Sequence, residues 1–172
     1  MRIPTKNVAF TIAFALFAAC SQYDISVNDR VVYTPAPLFK DYQIDDLHLK
    51  QCIDQTITDN KITGLANFTR LRCTHAGITD LAGLEKFYAL TELDLSDNAI
   101  TDTEAVARLG RLEVLLLENN QLTEVSSLLT LIRLSELVLT GNDELECNGL
   151  AQLKKAIEDN SGVLVAPEHC DS

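Results

Sequence analysis

A 22-residue repeat constrains this chain more than any other feature of its sequence. Leu90, Leu112 and Leu134 are spaced 22 residues apart, and each opens the same pattern of two further Leu and one Asn. A degenerate copy precedes them, with Phe68 at the opening position. Repeats of this length indicate a stacked architecture in which each unit buries its core against its neighbours. No unit can bury its core alone, so neighbouring units and caps are needed.

The spacing within each unit indicates a short strand followed by a turn. Leu93 and Leu95 alternate, so both side chains point to one face of a strand, which we assign to the interior. An Asn follows where the chain leaves the strand, and its amide can satisfy backbone groups freed by the turn. Ala76 holds this place in the first unit, so we expect a looser turn there. We predict a stacked ladder formed by Asn98, Asn120 and Asn142.

The pattern L-x-x-L-x-L-x-x-N is that of leucine-rich repeats. Its spacing and the short second half of each unit resemble internalin-like bacterial repeats over residues 46–170. Apolar residues three apart, such as Leu122, Val125 and Leu128, suit 3₁₀ turns. The resemblance implies an α/β leucine-rich repeat solenoid. It would carry a short parallel β-sheet on the concave face, 3₁₀ and coil segments on the convex side, and helical caps at both ends.

The N-terminus has the features of an export signal. Arg2 and Lys6 precede a short apolar run that ends in Phe17-Ala18-Ala19-Cys20. This resembles the bacterial lipoprotein signal, whose cysteine is lipidated and becomes the mature N-terminus. An ordinary signal cleaved after Ala15 is the alternative. The resemblance implies a lipid anchor at Cys20 in the bacterial cell envelope, and Ser21 after it implies the outer membrane.

Four further cysteines suggest disulfides, because exported proteins seldom keep free thiols. Counting alone allows three connectivities. Helical spacing of apolar residues within 49–57 and 150–157 predicts a cap helix at each end of the repeats, with Asn148 as the N-cap of the second. Four free buried thiols remain the alternative. The caps favour the pairs Cys52–Cys73 and Cys147–Cys170.

These assignments divide the chain into five segments. Residues 25–33 could form a small hairpin around Asn28, but an extended linker is the preferred interpretation. The predicted segments are a signal peptide at 1–19, a tether at 20–45, an N-terminal cap at 46–67, repeats at 68–145 and a C-terminal cap at 146–172.

Several function classes are disfavoured by the composition. The formal net charge of −11 is unsuitable for binding nucleic acid. The sequence contains no P-loop, nucleophile elbow or H-E-x-x-H motif, and the fold would scatter His48, His75 and His169. The cysteine pairs lie at opposite ends of the solenoid, which disfavours zinc. We predict neither enzymatic activity nor a cofactor or metal.

Strand residues that alternate with the core leucines should face the concave side. Val114, Leu116 and Val138 then form an apolar spot bordered by glutamates. The internalin-like resemblance implies that a monomer binds an unknown protein partner through this face. A structural envelope lipoprotein and a glycan-binding module are the alternatives, although the concave positions lack the aromatic residues that sugars favour. The candidate binding residues are Arg70, Arg72, Glu92, Asp94, Val114, Leu116, Glu118, Glu136 and Val138, with Thr74, Ser96 and Thr140 alongside.

Overall fold

Five short parallel strands form one sheet in chain order. The computed structural model describes residues 25–27, 30–33 and 35–170, so the signal sequence and Cys20 lie outside the described residues. Leucines that point into the core stand side by side across the sheet, at positions 71, 93, 115, 137 and 164. The predicted repeat solenoid is therefore confirmed. The strands are β3 (Arg70–Arg72), β4 (Glu92–Asp94), β5 (Val114–Leu116), β6 (Glu136–Val138) and β7 (Val163–Val165).

The chain divides after Pro37 into two units. In the first unit, β1 (Ile25–Val27) pairs antiparallel with β2 (Arg30–Tyr33). The preference for an extended linker is thus wrong for these two strands, because they pair with each other. The repeats, their caps and residues 38–45 belong to the second unit.

The second half of each repeat returns through short 3₁₀ turns, as the three-residue apolar spacing predicts. The three turns inside the repeats each bury one aliphatic residue, namely Leu84, Val106 and Leu128. Thr103 takes the place of an apolar residue in the three-residue spacing between Ile100 and Val106. It is buried, and its hydroxyl lies 2.8 Å from the hydroxyl of Ser127. The turns span Leu65–Asn67, Leu84–Lys86, Val106–Arg108, Ser126–Thr130 and Glu168–Cys170.

Helix α1 (Leu47–Asp59) covers the N-terminal end of the core with Leu49, Ile53 and Ile57. Asp46 caps it by accepting a hydrogen bond from the backbone N–H of Leu49 at 2.9 Å. The sequence placed the start of the cap at residue 46, but the packed unit begins earlier, at Leu38. Aromatic rings join residues 38–45 to the first repeat through the contacts Phe39–Tyr42, Tyr42–Phe87 and Phe68–Phe87, with centroids 5.7, 5.3 and 4.9 Å apart.

Helix α2 (Leu150–Asp159) covers the other end with Leu150, Leu153 and Ile157. Its N-cap position is Gly149, in the left-handed region at φ 90°, and no side chain caps the helix. The assignment of Asn148 as N-cap is therefore wrong, since that residue lies one position too early. Among the helices in the described ranges, none has the length and apolar content needed to cross a membrane.

Candidate functional site

The sheet register arranges the concave side chains in two rows that run across the strands. Alternate residues of each strand point away from the leucine core, so residues at the same strand position become neighbours. The first row contains Arg70, Glu92, Val114, Glu136 and Val163. The second row contains Arg72, Asp94, Leu116, Val138 and Val165.

The N-terminal half of both rows is charged and internally neutralised. Arg70 lies 3.9 Å from Glu92, and Arg72 lies 3.2 Å from Asp94. Both arginine side chains are mostly exposed, so each pair contributes at most about 1 kcal/mol to stability. The two arginines nevertheless compensate the carboxylates on the neighbouring strand. Arg70 and Arg72 therefore form two cross-strand ion pairs rather than a free basic edge.

The C-terminal half of both rows is aliphatic. Val114, Leu116 and Val138 are partly buried, because side chains on closely spaced neighbouring strands shield one another. Val163 and Val165 of β7, which the repeat pattern did not place on this face, are 61% and 41% exposed. Their alternation around Leu164 was the available signal, but it indicated only a closing strand. These five residues on three neighbouring strands are called the apolar patch below.

Two glutamates border the apolar patch. Glu136 is exposed in the first row between Val114 and Val163. Glu118 lies beyond Leu116, and its Oε1 accepts a hydrogen bond from the Thr140 hydroxyl at 3.2 Å. Within the part of the chain that the structure describes, neither glutamate forms a salt bridge. Ser96, which the sequence placed on this surface, is buried instead.

A shallow cavity of about 320 Å³ adjoins the apolar patch on its N-terminal side. Thr56 of α1 and Asn60, which caps the end of that helix, line it together with the paired charges of β3 and β4. Val114 and Leu116 also line it, so the cavity and the apolar patch are continuous. The surface thus combines a polar hollow with an aliphatic area and holds no arrangement of an acid, base and nucleophile.

Comparison with solved structures places this surface in a known architecture. An internalin, InlF, from Listeria monocytogenes matches with a TM-score of 0.56 and 28% sequence identity. The match covers 64% of this chain and 34% of that one, so the chain spans about a third of the length of the InlF structure. This chain has an internalin-like leucine-rich-repeat fold.

A second solved structure, the functional domain of InlJ from Listeria monocytogenes, which its description says includes a cysteine ladder, is 30% identical. That match has a TM-score of 0.40 and covers 47% of this chain and 20% of that one. No protein-family model and no curated protein matches the sequence.

The turns of this solenoid depend on its asparagines, each of which serves the turn of the preceding repeat. Asn98 Oδ1 accepts hydrogen bonds from the backbone N–H groups of Ala76 and Ile78 at 3.1 and 3.0 Å. Asn120 and Asn142 do the same for Ile100 and Leu122. The turn at Ala76 is therefore closed by the next repeat, contrary to the looser turn expected there.

A second column of residues follows the rim of the solenoid, at the position before Ala76 and before each asparagine of the ladder. His75, Asp97, Asn119 and Gly141 all adopt positive φ, between 50° and 59° for the first three and 72° for Gly141. Asn119 Nδ2 donates to Asp97 Oδ1 at 2.8 Å, and His75 Nε2 lies 3.4 Å from Asp97. Residues that tolerate the left-handed region recur here because the chain must turn sharply out of each strand.

Both disulfides close the ends of the solenoid, as the cap positions predict. Cys52 of α1 bonds to Cys73 beside β3, and Cys147 bonds to Cys170. His169 has a ring nitrogen within 4.8 Å of the second pair of sulfurs. Those sulfurs are bonded to each other, so this group lacks the thiolates that a zinc site would need.

Proposed function

We propose that this chain is a non-enzymatic protein-binding module of the bacterial cell envelope. It is anchored by lipid at Cys20 and binds its partner through the concave face of the repeats. The observation that carries the proposal is the apolar patch, in which five aliphatic side chains meet on three neighbouring strands. The internalin-like fold supports the proposal, because its concave sheet presents these side chains on a rigid surface.

An exposed aliphatic side chain is common on its own, whereas a contiguous group is uncommon on a monomeric protein. Val163 and Val165 extend the three aliphatic residues of β5 and β6 to the last strand of the sheet. Glu118 and Glu136 adjoin them, and a polar rim beside an apolar centre is typical of a protein interface. The patch therefore favours protein binding over a purely solubilising surface.

The alternatives receive less support from the same surface. A glycan-binding site commonly uses an aromatic ring as a platform, yet the ten side chains of the two rows include no aromatic residue. A structural envelope lipoprotein without a partner would leave the aliphatic grouping without a role. The two disulfides agree with an exported protein, and the lipid anchor rests on the signal sequence alone.

The test is a pair of matched double variants. Leu116→Asp with Val138→Lys places charge in the apolar patch. Leu129→Asp with Ile132→Lys makes the same kinds of change at exposed positions outside both rows. Partners are captured by crosslinking on whole cells, and thermal unfolding establishes that each variant folds.

We expect the patch variant to lose the crosslinked partner by about tenfold and the matched variant to retain it. Equal capture by the patch variant, with its fold intact, contradicts binding through the concave face. Equal loss in both variants contradicts a role specific to the patch.

A further inference from the structure

The second-row residues of the apolar patch, Leu116, Val138 and Val165, lie between two carboxylates whose charge this surface does not compensate. Glu136 stands on one side of the second row, and Glu118 lies on the other side beyond Leu116. The other concave carboxylates, on Glu92 and Asp94, both have arginine partners. The aliphatic half of the concave face therefore also contains the carboxylates that have no arginine partner.

Covering this surface would remove Glu118 and Glu136 from water. A buried charge without a partner is costly, and an anionic partner would add repulsion to that cost. A cation placed beside each carboxylate offsets the loss of hydration. The net charge of −11 also favours a cationic partner, because it attracts cationic molecules before they make contact.

The second row also sets the spacing of the apolar groups that fit it. Leu116, Val138 and Val165 lie on adjacent strands, so the row is about 10 Å long at a strand separation of about 4.8 Å. Positions i and i+7 of an α-helix are about 10 Å apart at a rise of 1.5 Å per residue. A helix lying across the strands would therefore place an apolar stripe along this row.

Building on the function proposed above, we propose that the partner presents a cationic amphipathic helix to this surface. The apolar stripe of the helix covers Leu116, Val138 and Val165. Lysine or arginine residues on the two sides of the stripe pair with Glu136 and Glu118. The paired charges of β3 and β4 remain outside this contact and adjoin the end of the helix.

The inference is tested with a labelled synthetic peptide of about five helical turns, with leucines in a stripe and lysines on both sides of it. A scrambled peptide of identical composition and a peptide with glutamate in place of lysine serve as comparisons. Affinity for the full folded domain is measured by fluorescence anisotropy at low and at physiological salt. The protein variants are Glu136→Lys, Val165→Asp and, as a matched control, Glu158→Lys on the exposed face of α2.

We expect the amphipathic peptide to bind at least about tenfold more tightly than either comparison peptide. Glu136→Lys and Val165→Asp should each weaken binding by about tenfold, and Glu158→Lys by less than about twofold. Equal binding of the scrambled peptide, or equal losses from Glu136→Lys and Glu158→Lys, overturns the inference in favour of attraction by net charge alone. Preference for the glutamate peptide also overturns it.

The inference and the proposed function fail in different ways. If the patch variant Leu116→Asp with Val138→Lys loses its cellular partner but the wild type ignores the cationic peptide, concave binding stands and the inference is wrong. If that folded variant retains both its partner and the peptide, both proposals are wrong.

Discussion

Asp46 and Thr79 are 33 residues apart in sequence, yet the Asp46 carboxylate accepts hydrogen bonds from both the backbone N–H and the hydroxyl of Thr79, at 3.0 and 3.1 Å. Its other oxygen caps α1 through Leu49. Burial opposes ionisation of Asp46, but these donors and the backbone N–H of Asp80 outweigh it and lower the pKa of the carboxyl below its usual value. One charged side chain thus holds the cap helix to the first repeat.

Replacing Asp46 should therefore weaken the domain in a pH-dependent way. We expect Asp46→Asn to lower the free energy of unfolding by about 1 kcal/mol at neutral pH. Because the folded-state pKa is lowered, the contribution of the carboxylate is present above about pH 4 and is lost as the pH falls through the folded-state pKa. Denaturant unfolding should show the difference between wild type and variant closing in acid.

Asp45→Asn is the control for this measurement, because Asp45 is the adjacent exposed carboxylate. It should change the free energy of unfolding little at any pH. A difference between wild type and Asp46→Asn that stays constant down to about pH 2 contradicts the assigned role of the charge.

Asn142 is fully buried, and removing its amide should be among the more costly polar substitutions in the repeats. Its Oδ1 accepts from the Leu122 backbone N–H, and its Nδ2 donates to the Leu117 and Leu139 carbonyl groups. Asn142→Ala leaves these groups buried without partners, so we expect a loss of about 3 kcal/mol by chemical denaturation.

Asn148→Ala supplies the comparison, because Asn148 is exposed and does not cap α2. Its effect should stay within about 0.5 kcal/mol. Similar losses in the two variants rule out a special contribution from the ladder.

The two disulfides should stabilise opposite ends of the solenoid independently. Cys52→Ser with Cys73→Ser removes a link across 21 residues, which corresponds to about 3 kcal/mol on the chain-entropy model. Hydrogen exchange should then rise in α1 and remain slow in α2. Cys147→Ser with Cys170→Ser is the matched variant and should show the reverse. Increased exchange throughout the domain in either variant contradicts the assignment of each disulfide to one end.

Cys20→Ser tests the anchor that the signal sequence predicts. We expect this variant either to leave the membrane fraction or to retain its uncleaved signal, because lipidation requires the thiol of Cys20. Fractionation of cells and mass spectrometry of the N-terminus measure both effects. Ser21→Ala is a suitable control, since it keeps the thiol and should remain in the membrane fraction. Normal processing and membrane retention of Cys20→Ser would contradict lipidation.

The repeat units were predictable from sequence because the leucine pattern within each unit marks the position of its strand. Leu93, Leu115 and Leu137 follow a constant period, so the register of β4, β5 and β6 could be read directly. The period ends there, since Leu164 pairs with Leu137 at a spacing of 27 residues, after α2 has intervened. Val163 and Val165 therefore could not be placed in the concave rows without the structure.

Long-range polar contacts were the other part that sequence could not supply. An aspartate before an apolar helix signals an N-cap, but nothing in the pattern links Asp46 to Thr79. The predicted N-cap of α2 was wrong for a related reason. Gly149, in the left-handed region, occupies the N-cap position in place of Asn148. The apolar patch was found in part because its first three members lie in the regular repeats.

The direction of the asparagine ladder sets the order in which the turns of the solenoid can be completed. Each asparagine closes the turn of the repeat before it, so Asn98 is needed to finish the turn at Ala76, and Asn120 to finish the turn at Ile100. A chain that emerges from its N-terminus consequently leaves its newest turn unfinished until about one more repeat has followed. The last asparagine, Asn142, closes its predecessor in the same manner, and α2 with β7 then seals the final repeat. Each turn served by the ladder is thus complete only when the following repeat is present.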